Sequence, residues 1–244
     1  MAGVHGHRIG VLMIGSLYWS KRKHRIEWRD DHLDVSAAKL VKVPIRYGRR
    51  SGSRECTYTM VFSTRLIEKR KWGQGMVVPC KSQDLIREAE CLWRAETATG
   101  KNPECVISRD WGCVSVVENP DNPMPKKMRN AWIERVKLER CYVHLNSATG
   151  EEVAVDSRGF LQIPWPKLAG EGGVSVDVLL ATATNPSIVE GEYGSVEEIA
   201  DAWTTPRGKR EAKYFWNNTN ERIKTFQDQE IEQRLATQGL HRPD

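Results

Sequence analysis

The prediction of the fold starts from the stretch IGVLMIGSLYW, residues 9–19. Ile9–Ile14 is a short apolar run, and such a run followed by turn residues predicts a buried strand. The run stops at Gly15-Ser16. Glycine lets the backbone approach a ligand closely, and successive amides in a tight turn form an anion-binding concavity. This turn is therefore either the plain end of a strand or a loop that holds a small anionic group.

Hydrophobic periodicity indicates an α+β chain around this strand. Alternating or apolar runs predict strands, and amphipathic runs with a capping signal predict helices. The predicted strands lie at 56–63, expected to be a second central strand, and at 75–80 and 174–183; the predicted helices lie at 82–97, about 195–203 and about 209–236. Ser82 is expected to cap the first helix, and Ser195 with Glu198 forms a capping box at the second. This order of elements predicts a mixed sheet or barrel.

The composition is that of a soluble globular protein. The 244 residues are 39% hydrophobic and 28% charged, which excludes the disordered and membrane-embedded classes. The net charge of +5, from 37 basic and 32 acidic residues, permits contact with nucleic acid or an acidic substrate without requiring it. The run Ile9–Ile14 is too short for a signal-peptide core or a membrane span, so we expect a cytoplasmic protein that has no membrane partner.

Cysteine spacing and the known catalytic motifs give no sign of a metal site. The six cysteines are scattered, with no CxxC pair, and this pattern predicts reduced thiols. No HExxH, Walker A or GxGxxG sequence occurs, so the sequence offers no motif for a catalytic metal or a nucleotide.

Glu96 is the residue that the helical pattern singles out. Eleven residues separate it from Leu85, about three turns plus 20°, so it continues the apolar stripe of Leu85, Ala89 and Leu92. A carboxylate on an inward face is unfavourable unless it is paired or lies in a cavity. Burial and the carboxyl end of the helix both raise its pKa, as a proton-transferring group requires. The alternative is a helix that ends earlier and leaves Glu96 in a solvated loop.

A basic and aromatic run, from Tyr18 to Arg29, follows the turn. Such a run can grip a nucleic-acid backbone and stack bases, because single-stranded nucleic acid is bound by cations combined with aromatic side chains. The competing interpretation is a charged surface segment exposed to solvent. We prefer that interpretation, because ordinary charge runs have the same composition.

Three motifs follow one another in an order that is typical of a known family. IGSLYW (14–19) stands where the family has a strand ending in Tyr-Gly-Ser-Leu, often continued to a Trp. GMVVPCKSQDLIREAECLWRAE (75–96) matches a strand and a helix whose end carries the catalytic glutamate. LLATATNPSIVEGEYGSVEEIADAW (179–203) matches a strand ending in Ala-Thr-x-x-Asn-Pro and a helix rich in Glu-Glu-Ile-Ala. The chain resembles the γ-glutamylcyclotransferase superfamily, in particular its ChaC-like branch.

The resemblance implies a fold and a domain organisation. The fold is a γ-glutamylcyclotransferase-like mixed β-barrel with flanking helices over residues 1–208, followed by a C-terminal helical extension and tail at 209–244. Region 100–173 is longer than a compact member needs and is expected to be an insertion. Two positions differ from the family pattern, since Ile14 and Ile188 stand where tyrosine is common.

The resemblance also implies a reaction that needs no cofactor. The α-amine of a γ-glutamyl group attacks its own side-chain carbonyl, which releases 5-oxoproline and a free amine. Glu96 is the implied general acid and base. The substrate is implied to bind at Ile14 and at the amides of Gly15, Ser16 and Leu17. Arg46 or Arg49, in the neighbouring PIRYGRR segment, is expected to add positive charge. The alternative is a catalytically idle member of the fold that binds nucleic acid or protein.

Overall fold

A mixed sheet of seven strands forms the centre of the computed structural model, which describes residues 7–54, 56–97, 105–139, 154–169 and 176–243. The strands of the described residues are β1 (Ile9–Met13), β2 (Lys39–Val43), β3 (Ile45–Ser51), β4 (Thr57–Phe62), β5 (Gly73–Pro79), β6 (Ser108–Arg109), β7 (Gly112–Glu118), β8 (Lys167–Leu168), β9 (Val178–Thr184), β10 (Ile188–Val189) and β11 (Glu192–Tyr193). The central sheet has the order β6-β7-β9-β1-β5-β2-β8, and the pairs β3–β4 and β10–β11 lie outside it.

β1 is the middle strand of this sheet, and all five of its residues are buried. It pairs in parallel with β9, where Leu12 lies opposite Ala181, and antiparallel with β5, where Met13 lies opposite Met76. A strand that is paired on both sides and covered on both faces is apolar throughout. The buried strand predicted from Ile9–Ile14 is therefore confirmed.

Three strand ends meet at one edge of the sheet. Because β1 and β9 run in parallel, their carboxyl ends lie at the same edge. The antiparallel strand β7 begins there, since Gly112 pairs with Thr184. A side chain on Gly112 would place its Cβ 2.5 Å from the carbonyl oxygen of Ala183, so this close approach requires glycine.

Helices surround the sheet. In the described residues they are α1 (Ser16–Trp19), α2 (Lys23–His32), α3 (Arg65–Glu68), α4 (Leu85–Thr97), α5 (Lys126–Leu138), α6 (Val196–Thr204), α7 (Gly208–Glu211), α8 (Lys213–Asn220) and α9 (Asp228–Thr237). α4 contacts α2 and α5 and also packs on β7 and β9. The end of α4 therefore comes close to the sheet edge at which β9 finishes.

The α+β class with a mixed sheet is confirmed, but the described strands form an open sheet and not a closed barrel. The expected second central strand at 56–63 is also placed elsewhere. Its residues form β4, which pairs with β3 beside the central sheet. An alternating pattern indicates that one face of a strand is buried but does not indicate which strand is its partner. The position of β4 was therefore not predictable from the pattern.

The helix predicted at 82–97 is present with a different cap. α4 begins at Leu85, and the N–H of Arg87 donates to Asp84 Oδ1 at 3.1 Å. Ser82 instead accepts a hydrogen bond of 3.1 Å from the N–H of Asp84. Asp84, rather than the predicted Ser82, therefore satisfies a free amide of the first turn.

The single long helix predicted at 209–236 is wrong, because the chain forms α7, α8 and α9 there. Arg222 has a φ of 61°, and a left-handed residue of this kind ends a helix. Phe215 and Ile231 are buried in the same hydrophobic core as the sheet. The C-terminal helices therefore belong to the main core.

The described residues of region 100–173, where an insertion is expected, supply β6, β7, α5 and β8. β7 pairs with β9 over seven residues, from Gly112 opposite Thr184 to Glu118 opposite Val178. Val114 and Val116 of this strand are buried in the core. This region therefore contributes directly to the central sheet.

The cysteines depart from expectation at one position. Cys105 is disulfide-bonded, so the prediction of reduced thiols is wrong for that residue. Scattered spacing does not report which cysteines the fold brings together. Cys56, Cys80 and Cys91 carry free thiols, and Cys141 lies outside the described residues.

As for membranes, no helix in the described ranges has the length and apolar character needed to cross one.

The capping box predicted at the start of α6 is confirmed. The N–H of Glu198 donates to Ser195 Oγ at 3.2 Å, and the N–H of Ser195 donates to Glu198 Oε2 at 2.8 Å. The helix buries Ile199 and Trp203 completely, so its start is tied to the core.

We expect Ser195→Ala to lower the free energy of unfolding by about 1 kcal/mol, because one amide of the first turn loses its acceptor. Urea denaturation followed by circular dichroism measures this loss. Ser157→Ala, in an exposed turn, is the matched control and should change stability by less than about 0.5 kcal/mol. Equal effects of the two changes would contradict the capping role.

Candidate functional site

A cleft of about 1200 Å³ opens at the sheet edge where β1 and β9 end. It is lined by residues of the turn after β1 and of the last turn of α4, which lie about 80 residues apart in the sequence. The predicted site residues that line it are Ile14, Gly15, Ser16, Leu17, Arg49 and Glu96. The fold therefore brings together the two features that the sequence singled out separately.

Glu96 lies in the last turn of α4, which ends at Thr97. Its side chain is 21% exposed, and its Oε2 accepts a hydrogen bond of 3.2 Å from Nη2 of Arg25. Burial raises the pKa of Glu96, although the positive charges of nearby arginines oppose this rise. The helix has not ended before Glu96, so the solvated-loop alternative is wrong. A carboxylate with a raised pKa is suited to taking up and releasing protons.

The cleft carries a strong excess of positive charge. Within the described residues, seven basic and three acidic side chains line it. The basic ones are Lys21, Arg22, Arg25, Arg49, Arg54, Arg109 and Lys213, and the acidic ones are Glu96, Glu211 and Glu221. A cleft with mainly one sign of charge attracts ligands of the opposite sign. The arrangement therefore favours an anionic ligand.

Ser16 is held so that its hydroxyl proton is available to a ligand. Its Oγ accepts one hydrogen bond from Arg25 Nη1, at 2.8 Å, and another from Arg54 Nη2, at 3.2 Å. A hydroxyl has one donor and two acceptor positions, so both acceptor positions are filled. No described residue accepts a hydrogen bond from this hydroxyl. The O–H group is therefore left to donate to an acceptor in the cleft.

Gly15 is needed because Tyr214 of α8 lies directly against it. A Cβ at position 15 would lie 2.6 Å from Tyr214 Oη, well inside contact distance. The φ of Gly15 is 179°, an extended conformation that any residue adopts, so the tyrosine alone excludes a side chain. Burial raises the pKa of Tyr214, which keeps its hydroxyl protonated. Tyr214 therefore adds a second neutral hydroxyl to the wall of the cleft.

Of the two arginines suggested as charge partners, Arg49 lines the cleft and Arg46 does not. The Arg49 guanidinium lies 5.0 Å from the centroid of Trp111, which in turn stacks on Trp93. Burial lowers the pKa of Arg49, an effect that the charge of Glu96 partly offsets. Arg46 instead lies 4.0 Å from the centroid of Tyr193. The structure thus brings Arg49 together with Glu96 and leaves Arg46 elsewhere.

Arg25 and its helix were missed by the sequence interpretation. The run from Tyr18 to Arg29 was interpreted as a charged surface segment, yet Arg25 is only 4% exposed and Trp28 only 5%. Arg25, Trp28 and His32 recur at helical spacing, and this stripe was the available signal. The stripe identifies an inward face only if an arginine is accepted as a buried residue of that face.

Neither a metal cluster nor a relative identifies the site. In the described parts of the chain, no group of three or more His, Cys, Asp or Glu side chains is arranged to hold a metal ion. Comparison of the chain with protein-family models, curated proteins and solved structures found no match. The geometry of the cleft is therefore the basis for any functional proposal.

We expect Gly15→Ala to destabilise the protein by about 1–3 kcal/mol, because its Cβ overlaps Tyr214 Oη. Adding Tyr214→Phe should restore part of this loss, since the next nearest ring atom would be 3.5 Å away, an ordinary contact. Urea unfolding of the two single variants and the double variant measures the coupling. Strictly additive losses would contradict the contact.

Proposed function

We propose that the protein is a γ-glutamylcyclotransferase that converts a γ-glutamyl amide into 5-oxoproline and a free amine. The observation that supports this most is the shared cleft of Glu96 and the Gly15–Leu17 turn, which one buried guanidinium joins. The proposal includes the γ-glutamylcyclotransferase-like fold and a cytoplasmic location.

The substrate's α-carboxylate binds at the positive end of the site. The Ser16 hydroxyl donates one hydrogen bond to it, and the Arg49 guanidinium supplies the opposite charge. The amides of Ser16 and Leu17 lie at the start of a helical turn, where N–H groups have no partner within the turn, and they add further donors. Holding the carboxylate at one end orients the α-amine and the side-chain carbonyl for reaction with each other.

Glu96 carries the protons of the cyclisation. Its carboxylate takes one proton from the α-ammonium and releases it to solvent, and the freed amine attacks the γ-carbonyl carbon to form the new C–N bond of the five-membered ring. The ring nitrogen then still carries two protons, and Glu96 accepts one of them. The tetrahedral intermediate collapses, the original amide C–N bond breaks, and Glu96 gives that proton to the departing nitrogen. The products are 5-oxoproline and the amine, and no oxidant or cofactor takes part. Burial supports both steps because it raises the pKa of Glu96 and so makes the return of a proton easier.

The nucleic-acid alternative has weaker support. Lys21, Arg22 and Lys23 are exposed, but Arg25 is buried and Arg29 donates to backbone carbonyl oxygens. The run therefore does not present one continuous row of cations to a phosphate backbone, as such binding requires. A salt-sensitive shift of single-stranded RNA or DNA at low ionic strength would revive this alternative.

We expect the wild-type protein to release 5-oxoproline from a panel of γ-glutamyl peptides and amines, and Glu96→Gln to lower kcat by about 10²–10⁴-fold. Liquid chromatography with mass detection quantifies the product. Glu90→Gln is the matched control, because Glu90 lies on the same helix but forms an ion pair with Arg135 away from the cleft.

The outcomes separate the proposal from its alternatives. Glu90→Gln should keep wild-type activity. Product formation that is equally fast in Glu96→Gln would contradict the role of Glu96, and no product from any γ-glutamyl compound would contradict the reaction.

We expect Arg49→Gln to raise KM for the γ-glutamyl substrate about 10- to 100-fold, since a hydrogen bond to a charged group contributes about 1.5–3 kcal/mol. Arg46→Gln is the control and should leave KM unchanged, because Arg46 packs on Tyr193 outside the cleft. Steady-state kinetics compares the two variants. A larger effect at Arg46 than at Arg49 would contradict the proposed carboxylate position.

A further inference from the structure

Arg25 contacts both halves of the candidate site at once. Its side chain is 5% exposed and projects from α2. Nη1 donates to Ser16 Oγ at 2.8 Å, and Nη2 donates to Glu96 Oε2 at 3.2 Å. Nε donates to the carbonyl oxygen of Ala95 at 3.1 Å, and Nη2 lies 3.3 Å from that of Glu96. One guanidinium therefore joins the turn after β1, the end of α4 and the Glu96 carboxylate.

The planar guanidinium is suited to this position and an ammonium is not. It offers five N–H donors in a fixed geometry, so one group can bond a hydroxyl, a carboxylate and the free carbonyls at a helix end together. A lysine at the same position carries the charge on a single nitrogen. It therefore cannot reproduce contacts that point to Ser16 and Glu96 from different nitrogens.

Arg29, one turn further along α2, holds the same turn without touching Glu96. Its Nη1 donates to the carbonyl oxygen of Leu17 at 2.7 Å, and its Nη2 donates to that of Ser20 at 2.8 Å. Both arginines fix the segment after β1, but only Arg25 links it to the carboxylate. Arg29 is therefore a matched control for Arg25 on the same helix.

We propose that Arg25 is a positioning residue, whose buried guanidinium fixes the Ser16 hydroxyl and the Glu96 carboxylate in one arrangement and holds Glu96 ready to act as a base. The proposal rests on the proposed function for its catalytic consequence. Together with Arg54, Arg25 fills the acceptor positions of Ser16, so that the Ser16 hydroxyl donates to the substrate carboxylate. Arg25 also holds Oε2 of Glu96 in a fixed orientation through its hydrogen bond.

The pH dependence follows from the charges that face Glu96. They are Arg22 at the N-cap of α2, Arg25 on α2, Arg49 on β3 and Arg54 after β3. The buried, neutral hydroxyl of Tyr214 on α8 also faces Glu96. Burial raises the pKa of Glu96, and Arg25 is the largest of the opposing charges. A base acts when it is deprotonated, so activity falls as the pH falls through this pKa. Removing Arg25 raises the pKa of Glu96 further. The acid limb of the pH profile, where activity falls as the pH decreases, therefore moves to higher pH.

Three variants test this inference: Arg25→Gln, Arg25→Lys and Arg29→Gln. For each, the pH dependence of kcat/KM is measured, and Glu96 is titrated by ¹³C NMR of labelled glutamate carboxyls, assigned by the signal missing from Glu96→Gln. Arg25→Gln should move the acid limb and the NMR midpoint upward by about one pH unit or more. Arg25→Lys should lower kcat at least about tenfold with little movement of the limb. Arg29→Gln should raise KM and leave the midpoint unchanged.

The inference is overturned if Arg25→Gln leaves the midpoint of Glu96 unchanged, or if Arg29→Gln moves it as much. Wild-type kcat in Arg25→Lys would also overturn it, and this variant remains informative if Arg25→Gln does not fold. The NMR titration does not depend on turnover. A wild-type protein that forms no 5-oxoproline, but whose Glu96 midpoint rises in Arg25→Gln, would therefore contradict the proposed function and support the coupling.

Discussion

The position of β1 in the middle of the sheet is the constraint on which the candidate site depends. With β9 parallel on one side and β5 antiparallel on the other, β1 can leave the sheet only at the edge where β9 also ends. The chain then turns immediately at Gly15, where Tyr214 leaves no room for a side chain. This turn places Ser16 in the lining of the cleft.

Electrostatics then determines what the cleft can do. Burial of Glu96 favours its neutral form, whereas the surrounding arginines favour the carboxylate, and the two effects act against each other in the same small volume. Arg54 is already paired with Glu211 and lies 4.6 Å from the centroid of Tyr214. Arg49, by contrast, rests on an indole face. An incoming carboxylate therefore meets a cation that is desolvated and held in place, which suits selective binding of an anion.

The sequence predicted the parts of this arrangement that depend on local pattern. The apolar run of β1, the stripe of α4 that includes Glu96 and the capping box at Ser195 all follow from residue spacing, and each is present. The inward-facing carboxylate of Glu96 was predictable because it is a charged side chain at a position of the apolar stripe.

The parts that were not predictable depend on tertiary packing. β4 pairs with its neighbour β3 in a hairpin. The place of this hairpin outside the central sheet, and the division of the C-terminal region into three helices, depend on packing against the rest of the chain. Arg25 was missed because a basic run normally faces solvent, whereas most of the hydrogen-bond partners that stabilise its burial lie at the end of α4, seventy residues away. The choice of Arg49 over Arg46 was likewise open, since successive side chains of a strand differ in direction and the pattern did not say which faces the cleft.

A crystal structure of the Glu96→Gln variant with a bound γ-glutamyl amide would show how the substrate lies in the cleft. We expect the substrate's α-carboxylate to contact the Ser16 hydroxyl and the Arg49 guanidinium. We also expect the α-amino nitrogen to lie within hydrogen-bond distance of the residue 96 side chain and close to the γ-carbonyl carbon. A glutamyl group bound outside the cleft, or bound with its α-amine turned away from residue 96, would contradict this placement of the substrate.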